Sequence, residues 1–291
     1  MAQQKQRLDL ELIAQGFFET QEQALRAIMA GLVFDDASRQ ALPKAGMQVV
    51  RGRALYVKGY KAHGTSYVSR GGLKLKAALE CFGLEEKLAG LKALDIGCST
   101  GGFTDCLLQA KLALVYAVDV GYAQFDWALR NDERVRLFER TNICDLPEIL
   151  ASSKQEHPCS FDLAVADVSF TSLVSILPAV SQMLAQGAYF VPLIKPQFEA
   201  RKDQVEAGGI VRDPLVHQEV LERICRKLVE AGFLLEDLCR SPIQGAKGNI
   251  EFFALAHKSA VQDNAEPAIA QHIQDRIQEL CYEDSSGCSS R

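Results

Sequence analysis

The sequence predicts an α/β protein with a doubly wound, mostly parallel sheet and a small α+β domain in front of it. From residue 92 onward, apolar strand-like runs alternate with helical patterns, which is typical of such a sheet. The first of these runs ends in a glycine-rich turn, as a strand does when it must turn sharply into a helix. Residues 1–76 carry capping and turn signals of their own, which predict the small domain.

The composition is that of a globular chain with a full hydrophobic core. Its 291 residues are 48% apolar and allow one large domain plus a small one. No stretch approaches the roughly 20 apolar residues that a membrane helix needs, and the N-terminus has no apolar signal core. The nine cysteines form no C-x-x-C pair, so neither a metal site nor a disulfide framework is expected. These observations predict a cytoplasmic protein with no metal and no membrane partner.

The N-terminal segment has the signals of a short helix between small strands. Thr20 and Gln23 form a capping-box pattern at the start of the amphipathic run QEQALRAIMA, and Gly31 follows that run. Beyond the glycine, LVF and MQVV flank turn residues and predict short strands. Residues 1–76 hold 12 Lys and Arg against six Asp and Glu, a net charge of +6 in a chain whose net charge is −5. This local excess favours a nucleic-acid partner.

With RLDLELIAQGFF before it, this pattern resembles the RNA-binding domain of the ribosomal small-subunit protein four type. The resemblance implies that a helix pair and a loop present basic residues to folded RNA. We assign residues 1–64 to this domain, 65–258 to the large domain and 259–291 to a peripheral tail, with a linker at 59–69. The candidate phosphate contacts are Arg7, Arg26, Lys44, Arg51 and Arg53.

The segment LDIGCSTGGFTD, residues 94–105, predicts a nucleotide-type cofactor pocket. Gly97, Gly101 and Gly102 let the backbone turn and approach a ligand, and the helix that follows begins with free N–H groups. Asp119 ends the run LALVYAVD, about 20 residues further on, where it would reach a ribose hydroxyl. The turn lacks the second glycine of a dinucleotide fingerprint, and this favours S-adenosylmethionine over NAD.

The remaining strands and helices follow from periodicity. The predicted strands, of which the last two form an antiparallel edge, are KALDI, LALVYAVD, VRLF, FDLAVAD, AYFVPLIK, FLLEDL and EFFALAH. The helical spacers are GFTDCLLQA, SLVSILPAVSQML and PLVHQEVLERICRKLVEAG. Because parallel strands end at a common edge, charged residues that close them are expected to converge there.

Two lysines and two carboxylates are the candidates for such a cluster. Asp167 closes FDLAVAD, Lys195 closes AYFVPLIK, Glu251 follows the turn GAKGN, and Lys74 lies in SRGGLKL before the sheet. The order Lys-Asp-Lys-Glu resembles the catalytic set of the FtsJ-like ribose 2′-O-methyltransferases. The motifs YVSRGGLKL, LDIGCSTGGFTD, AVDVGYAQ, ADVSFTSL, LIKPQFE and KGNIEFF together resemble the TlyA family over residues 6–257.

The resemblance implies a Rossmann-like S-adenosylmethionine-dependent methyltransferase sheet that methylates a ribose 2′-hydroxyl of ribosomal RNA, with cytidine as the expected target. Ribosomal RNA or ribosomal subunits would be its partners. We expect Lys195 to accept the hydroxyl proton as a neutral amine, while Lys74, Asp167 and Glu251 act as positioning groups. The expected cofactor residues are Asp95, Gly97, Ser99, Thr100, Gly101, Gly102, Phe103, Asp119, Val120, Asn142, Ile143 and Asp167.

Two other functions stay open from the sequence. Members of the TlyA family also carry the name haemolysin A, but a pore-forming haemolysin would need a signal or a lipid-binding segment, and none is seen. An RNA-binding assembly factor with an inactive methyltransferase fold is the stronger alternative, although it would not need the full Lys-Asp-Lys-Glu set. Among enzymes, a base methyltransferase would use an Asn/Asp-Pro-Pro-Tyr motif, which does not occur.

Overall fold

The computed structural model describes residues 5–18, 20–35, 40–58, 67–153, 160–259 and 266–282. Most of the predicted linker, residues 59–66, and the end of the tail lie outside the described residues. The strands are β1 (Lys5–Arg7), β2 (Val33–Asp35), β3 (Gln48–Val50), β4 (Leu55–Val57), β5 (Lys92–Ile96), β6 (Leu114–Val118), β7 (Val135–Phe138), β8 (Phe161–Ala166), β9 (Leu184–Ile194), β10 (Phe233–Arg240) and β11 (Phe252–Lys258). The α-helices are α1 (Leu8–Ala14), α2 (Gln21–Met29), α3 (Arg70–Cys81), α4 (Gly102–Gln109), α5 (Trp127–Arg130), α6 (Leu146–Ser152), α7 (Leu177–Met183), α8 (Pro196–Glu199), α9 (Pro214–Glu230) and α10 (Glu266–Tyr282).

One large sheet organises the chain from β5 onward. Its strand order is β10-β11-β9-β8-β5-β6-β7. Strands β5 to β9 are parallel, whereas β11 pairs antiparallel with both β9 and β10. This confirms the predicted α/β sheet with its antiparallel edge. Since β5 pairs with β6 on one side and with β8 on the other, the switch point for ligand binding lies at the carboxyl ends of β5 and β8.

Hydrophobic clusters cover both faces of the sheet, because successive strand residues point to opposite sides. Ala93 belongs to the cluster that includes residues of α3 and α4, and Leu94 to the cluster that includes residues of α7 and α9. The second cluster also takes in Ile273 and Ile277 of α10. Arg276 adds a polar anchor by donating to the Leu238 carbonyl at 2.9 Å. The helix of the predicted tail is therefore packed against the sheet.

The N-terminal segment buries a hydrophobic cluster of its own, formed by residues between Leu8 and Val57. Strand β1 pairs antiparallel with β3, and β2 with β4. The predicted capping box forms at the start of α2, where the Gln23 N–H donates to Thr20 Oγ1 and the Thr20 N–H donates to Gln23 Oε1. Strands β1 and β4 have only three residues each and escaped prediction.

Candidate active site

The turn between β5 and α4 has the sharp form that its glycines allow. Gly97 and Gly101 have φ angles of +79° and +94°, which only glycine adopts without strain. Ser99, between them, also has a positive φ of 49°. A positive φ is uncommon in a residue that has a side chain. Where it does occur, it is often at a functional site.

The glycines of this turn make room for other parts of the protein. An added Cβ at Gly97 would lie 2.6 Å from the Asp167 carbonyl oxygen, and one at Gly102 would lie 2.2 Å from Ser69 Oγ. The sequence predicts that these glycines let a ligand approach. The structure shows that they let the end of β8 and the start of α3 approach the turn. They thus bring Asp167 beside the predicted cofactor turn.

Asp119 lies directly after β6 and faces the glycine-rich turn. Its carboxylate oxygens accept the Ser99 N–H at 2.7 Å and the Gly121 N–H at 2.6 Å. These charge-assisted bonds hold the turn in place. Each carboxylate oxygen can accept more than one hydrogen bond, so the group can still bind a ligand hydroxyl.

The other predicted cofactor residues fall into an exposed and a buried group. Val120 and Asn142 are exposed at the sheet edge. Thr100, Phe103 and Ile143 are buried, and the Phe103 ring packs against another aromatic ring in the core. The contribution of these buried residues to a ligand site would therefore come mainly from their backbone.

Asp95 is a fully buried carboxyl group at the end of β5. Its Oδ2 accepts the Thr104 hydroxyl at 2.6 Å, while its Oδ1 has no hydrogen-bond partner among the described residues. Burial raises the pKa of Asp95 to about 7; the Thr104 hydrogen bond opposes this shift, and the charge of Asp167 adds to it. A buried acceptor without a partner is costly and suits a cationic donor.

Two lysine–carboxylate pairs meet at the same edge of the sheet. Lys195, directly after β9, places its Nζ 2.5 Å from Asp167 Oδ1 and donates to Ser169 Oγ at 2.8 Å. Lys74, on α3, donates to Glu251 Oε2 at 2.6 Å. The structure thus brings together the four residues that the sequence singles out.

Nearby carboxylates determine the charge of Lys74. Burial favours the neutral form of Lys74, but the carboxylates of Glu251 and Asp167 outweigh it and raise the Lys74 pKa above its ordinary value. Lys74 therefore stays charged at neutral pH. Lys74 thus contributes a fixed positive charge to this edge of the sheet.

Two polar side chains at this edge were not predicted as site residues. Ser169 and Gln197 contact the charged pairs and follow Asp167 and Lys195 by two positions in the motifs ADVSFTSL and LIKPQFE. Phe170 is 87% exposed, has a φ of 62°, and lies 5.1 Å from the Phe198 ring between centroids. The sequence already suggests Phe170 and Phe198 as stacking partners for a flipped nucleotide, because they flank Asp167 and Lys195; packing at the sheet edge is the alternative.

The predicted RNA contacts of the N-terminal segment have local partners. Ion pairs join Arg7 to Asp9 at 2.7 Å, Arg26 to Glu22 at 2.6 Å and Arg53 to Asp35 at 2.6 Å. Arg51 donates to the Gln6 side chain at 3.1 Å. Lys44 is exposed and forms no ion pair with any described residue.

Nothing in the described chain groups three or more His, Cys, Asp or Glu side chains as metal ligands.

These features are those of a methyltransferase of the Rossmann-like class: a doubly wound sheet, a glycine-rich turn hydrogen-bonded to an acidic residue after the next strand, and paired lysines at the sheet edge. The model of the FtsJ-like methyltransferase family matches residues 67–258, and the chain belongs to this family.

The chain is similar to several known proteins over most of their length. The chain is 45% identical to the Bacillus subtilis protein named "Putative rRNA methyltransferase YqxC", covering 88% of this chain and 87% of the relative. It is 40% identical to the 16S/23S rRNA (cytidine-2′-O)-methyltransferase TlyA of Mycobacterium tuberculosis, covering 85% and 88%. A solved structure from Streptococcus thermophilus, described as a "putative hemolysin", is 42% identical with a TM-score of 0.65, covering 96% and 98%.

Proposed function

We propose that the protein transfers a methyl group from S-adenosylmethionine to the ribose 2′-hydroxyl of a cytidine in ribosomal RNA, acting on ribosomal subunits in the cytoplasm. The observation that carries the proposal is the convergence of two largely buried lysine–carboxylate pairs beside the glycine-rich turn. The target agrees with the name of the Mycobacterium tuberculosis relative, which describes a cytidine-2′-O-methyltransferase.

The residues at the turn fit a cationic nucleoside cofactor. Asp119 would bind its ribose hydroxyls, and the buried Asp95 Oδ1, which lacks a described partner, would receive a cationic donor. Val120 offers an exposed apolar side chain beside them for the adenine. When bound, S-adenosylmethionine supplies an electrophilic methyl group on a sulfonium.

The lysine pairs would position and deprotonate the substrate hydroxyl. Lys195 is oriented by Asp167 and Ser169, so its amine is held at a defined place at the sheet edge. A lysine that takes a proton near neutral pH must do so as a neutral amine, and this is the role proposed for Lys195. Orientation of the hydroxyl can contribute as much to the rate as removal of its proton.

Two surfaces would bind the RNA. The basic N-terminal segment, residues 1–64, is proposed as the RNA-binding domain, with Arg7, Arg26, Lys44, Arg51 and Arg53 contacting phosphates. The exposed ring of Phe170 is proposed to stack on the base of the target nucleotide once it leaves its helix, because the ribose of a paired nucleotide is hard to reach.

The name hemolysin among the relatives suggests a different activity. None of the helices that the structure describes is long and apolar enough to cross a membrane. A non-catalytic assembly factor would not need four largely buried charged side chains at one edge, and their desolvation is a cost that catalysis can explain.

The test is methyl transfer to subunits from cells that lack this gene. Purified protein, tritiated S-adenosylmethionine and each ribosomal subunit are incubated, and the rRNA is digested to nucleosides for mass spectrometry. We expect 2′-O-methylcytidine as the labelled nucleoside. A label on a base would overturn the ribose assignment, and tight subunit binding with no label would favour the assembly factor.

A further inference from the structure

Gln197 belongs to the network that holds Glu251. It lies on α8, and its Nε2 donates to Glu251 Oε1 at 3.0 Å, while Lys74 donates to Oε2 of the same carboxylate at 2.6 Å. Gly245 lies so close to Oε1 that an added Cβ would be 2.0 Å away. The carboxylate, whose side chain is only 2% exposed, is thus fixed from α3, from α8 and from the turn before β11.

The hydrogen bond to Glu251 determines which way the Gln197 amide points. An ionised carboxylate only accepts hydrogen bonds, so the amide nitrogen must face Glu251 and the amide oxygen must point away. That oxygen, Gln197 Oε1, is buried and has no hydrogen-bond partner among the described residues. A buried acceptor left without a partner lowers stability.

An apolar side chain of similar size would avoid this cost, but it would leave the buried Glu251 Oε1 without its Gln197 donor. The two effects offset each other, so folding alone gives little reason for an amide at position 197, and residues that break a folding rule tend to lie at functional sites. The function that the contacts offer is control of Glu251, since the Gln197 amide and the Lys74 ammonium share the two oxygens of one carboxylate.

We propose that Gln197 is a positioning residue for methyl transfer: it fixes the Glu251 carboxylate, which in turn holds the Lys74 ammonium at the reacting edge. The proposal rests on the proposed function and adds a fifth residue to the Lys-Asp-Lys-Glu set. Gln197 acts through Glu251 and need not touch the substrate.

The first test separates positioning from stability in the full-length protein. In Gln197→Leu and Gln197→Met, we expect the thermal unfolding midpoint to change little, because removal of the unpartnered amide oxygen offsets the loss of the donor to Glu251 Oε1. Calorimetric affinity for S-adenosylmethionine should stay within about twofold, while the single-turnover methyl-transfer rate falls roughly 10–100-fold. Gln204→Leu is the matched control, since Gln204 also donates to a carboxylate, Glu219 at 2.6 Å, but at the surface.

A lower unfolding midpoint together with a lower rate would show a structural role and overturn the proposal. A wild-type rate in Gln197→Leu would also overturn it and would leave the proposed function intact. If the wild-type protein transfers no methyl group, the proposed function falls and this role falls with it.

A second test asks whether Gln197 acts through Glu251. We expect the double variant Gln197→Leu/Glu251→Ala to be no slower than Glu251→Ala alone, because the carboxylate that Gln197 fixes is already absent. If the two losses multiply, Gln197 acts independently of Glu251, and the proposal is wrong.

Discussion

The Lys74–Glu251 pair at the sheet edge and the Arg26–Glu22 pair of the N-terminal segment differ in both burial and sequence separation. At the edge, Lys74 and Glu251 are 177 positions apart in the chain, and their side chains are 13% and 2% exposed. In the N-terminal segment, Arg26 pairs with Glu22 one helical turn away, and both side chains are 74% exposed.

This difference separates the buried charges that are proposed to act in the reaction from the exposed charges that are proposed to meet solvent and RNA. An exposed pair one turn apart stabilises a helix by only a few tenths of a kcal/mol, so a phosphate can replace the carboxylate at little cost. A buried pair loses the hydration of both ions, and an apolar pair would often serve folding as well. Buried charges from distant segments are therefore the stronger evidence for a reaction centre.

The largest expected effect, which tests the buried side of this comparison, is at Lys195. Lys195→Ala should lower the single-turnover rate about 10²–10⁴-fold, because the amine that takes or steers the hydroxyl proton is lost. Lys195→Arg should restore little, since a guanidinium is not a base near neutral pH. The measurement is methyl transfer at saturating rRNA and cofactor.

Lys92 is the matched control for Lys195. It is exposed at the start of β5, the opposite end of the sheet from the site, so Lys92→Ala should keep the wild-type rate. Near-wild-type turnover of Lys195→Ala would remove this lysine from the mechanism. Full rescue by arginine would reduce its role to electrostatics.

The next largest effect concerns stability and pH at Asp95. Its pKa is about 7 in the folded protein, above the ordinary 3.8. Between about pH 4 and pH 7 the folded protein retains a proton that the unfolded chain has lost, so this group makes stability fall as pH rises. Asp95→Asn should remove that fall. Its free energy of unfolding relative to that of the wild type should therefore rise by up to about 4 kcal/mol between pH 4 and pH 8.

Denaturant unfolding of both proteins across this range measures the difference. Asp203→Asn, an exposed carboxylate exchanged in the same way, should follow the wild-type pH dependence. Parallel stability curves for wild type and Asp95→Asn would show that the buried carboxyl does not carry the expected cost.

The sheet could be predicted from the sequence because its parallel strands are buried on both faces and read as apolar runs. Helix α3 could not be predicted, since its first turn contains two glycines, Gly71 and Gly72, which weaken a helix in isolation. The structure gives the reason: an added Cβ at Gly72 would lie 2.4 Å from the Tyr67 ring and 2.9 Å from the Gly102 carbonyl oxygen. Close packing thus overrides local propensity.

The same distinction applies to the site. Strand topology predicted that Asp167, Lys195 and Glu251 meet at one edge, whereas Lys74, on α3, was added from the resemblance to the FtsJ-like methyltransferases. The contacts of Gln197 depend on how the α8 turn packs against the loop before β11, and no periodicity encodes that packing. A single helix was likewise expected at 172–184, where a short 3₁₀ turn precedes α7 and its proline.

A smaller effect is expected for the cofactor at Asp119. Asp119→Ala removes a carboxylate that would bind a ribose hydroxyl, so the affinity for S-adenosylmethionine should fall by roughly 1.5–3 kcal/mol, or about 10–150-fold in Kd. Asp119→Asn keeps one acceptor and should lose less. Calorimetric titration measures both, and an unchanged Kd in the alanine variant would contradict the assignment.

The smallest effects are expected in the exposed N-terminal segment, where they sharpen the other side of the comparison. Lys44 forms no ion pair with a described residue, whereas Arg26 is paired with Glu22. If both contact phosphates, Lys44→Ala should lower the slope of log affinity against log salt by about one. Arg26→Ala should lower it by less, because Glu22 already neutralises part of its charge.

Binding of rRNA to both variants and to Lys92→Ala between about 50 and 200 mM salt measures these slopes. Equal slopes in all three proteins would show that neither residue meets the RNA backbone, and the proposed phosphate contacts would then have to come from other basic residues.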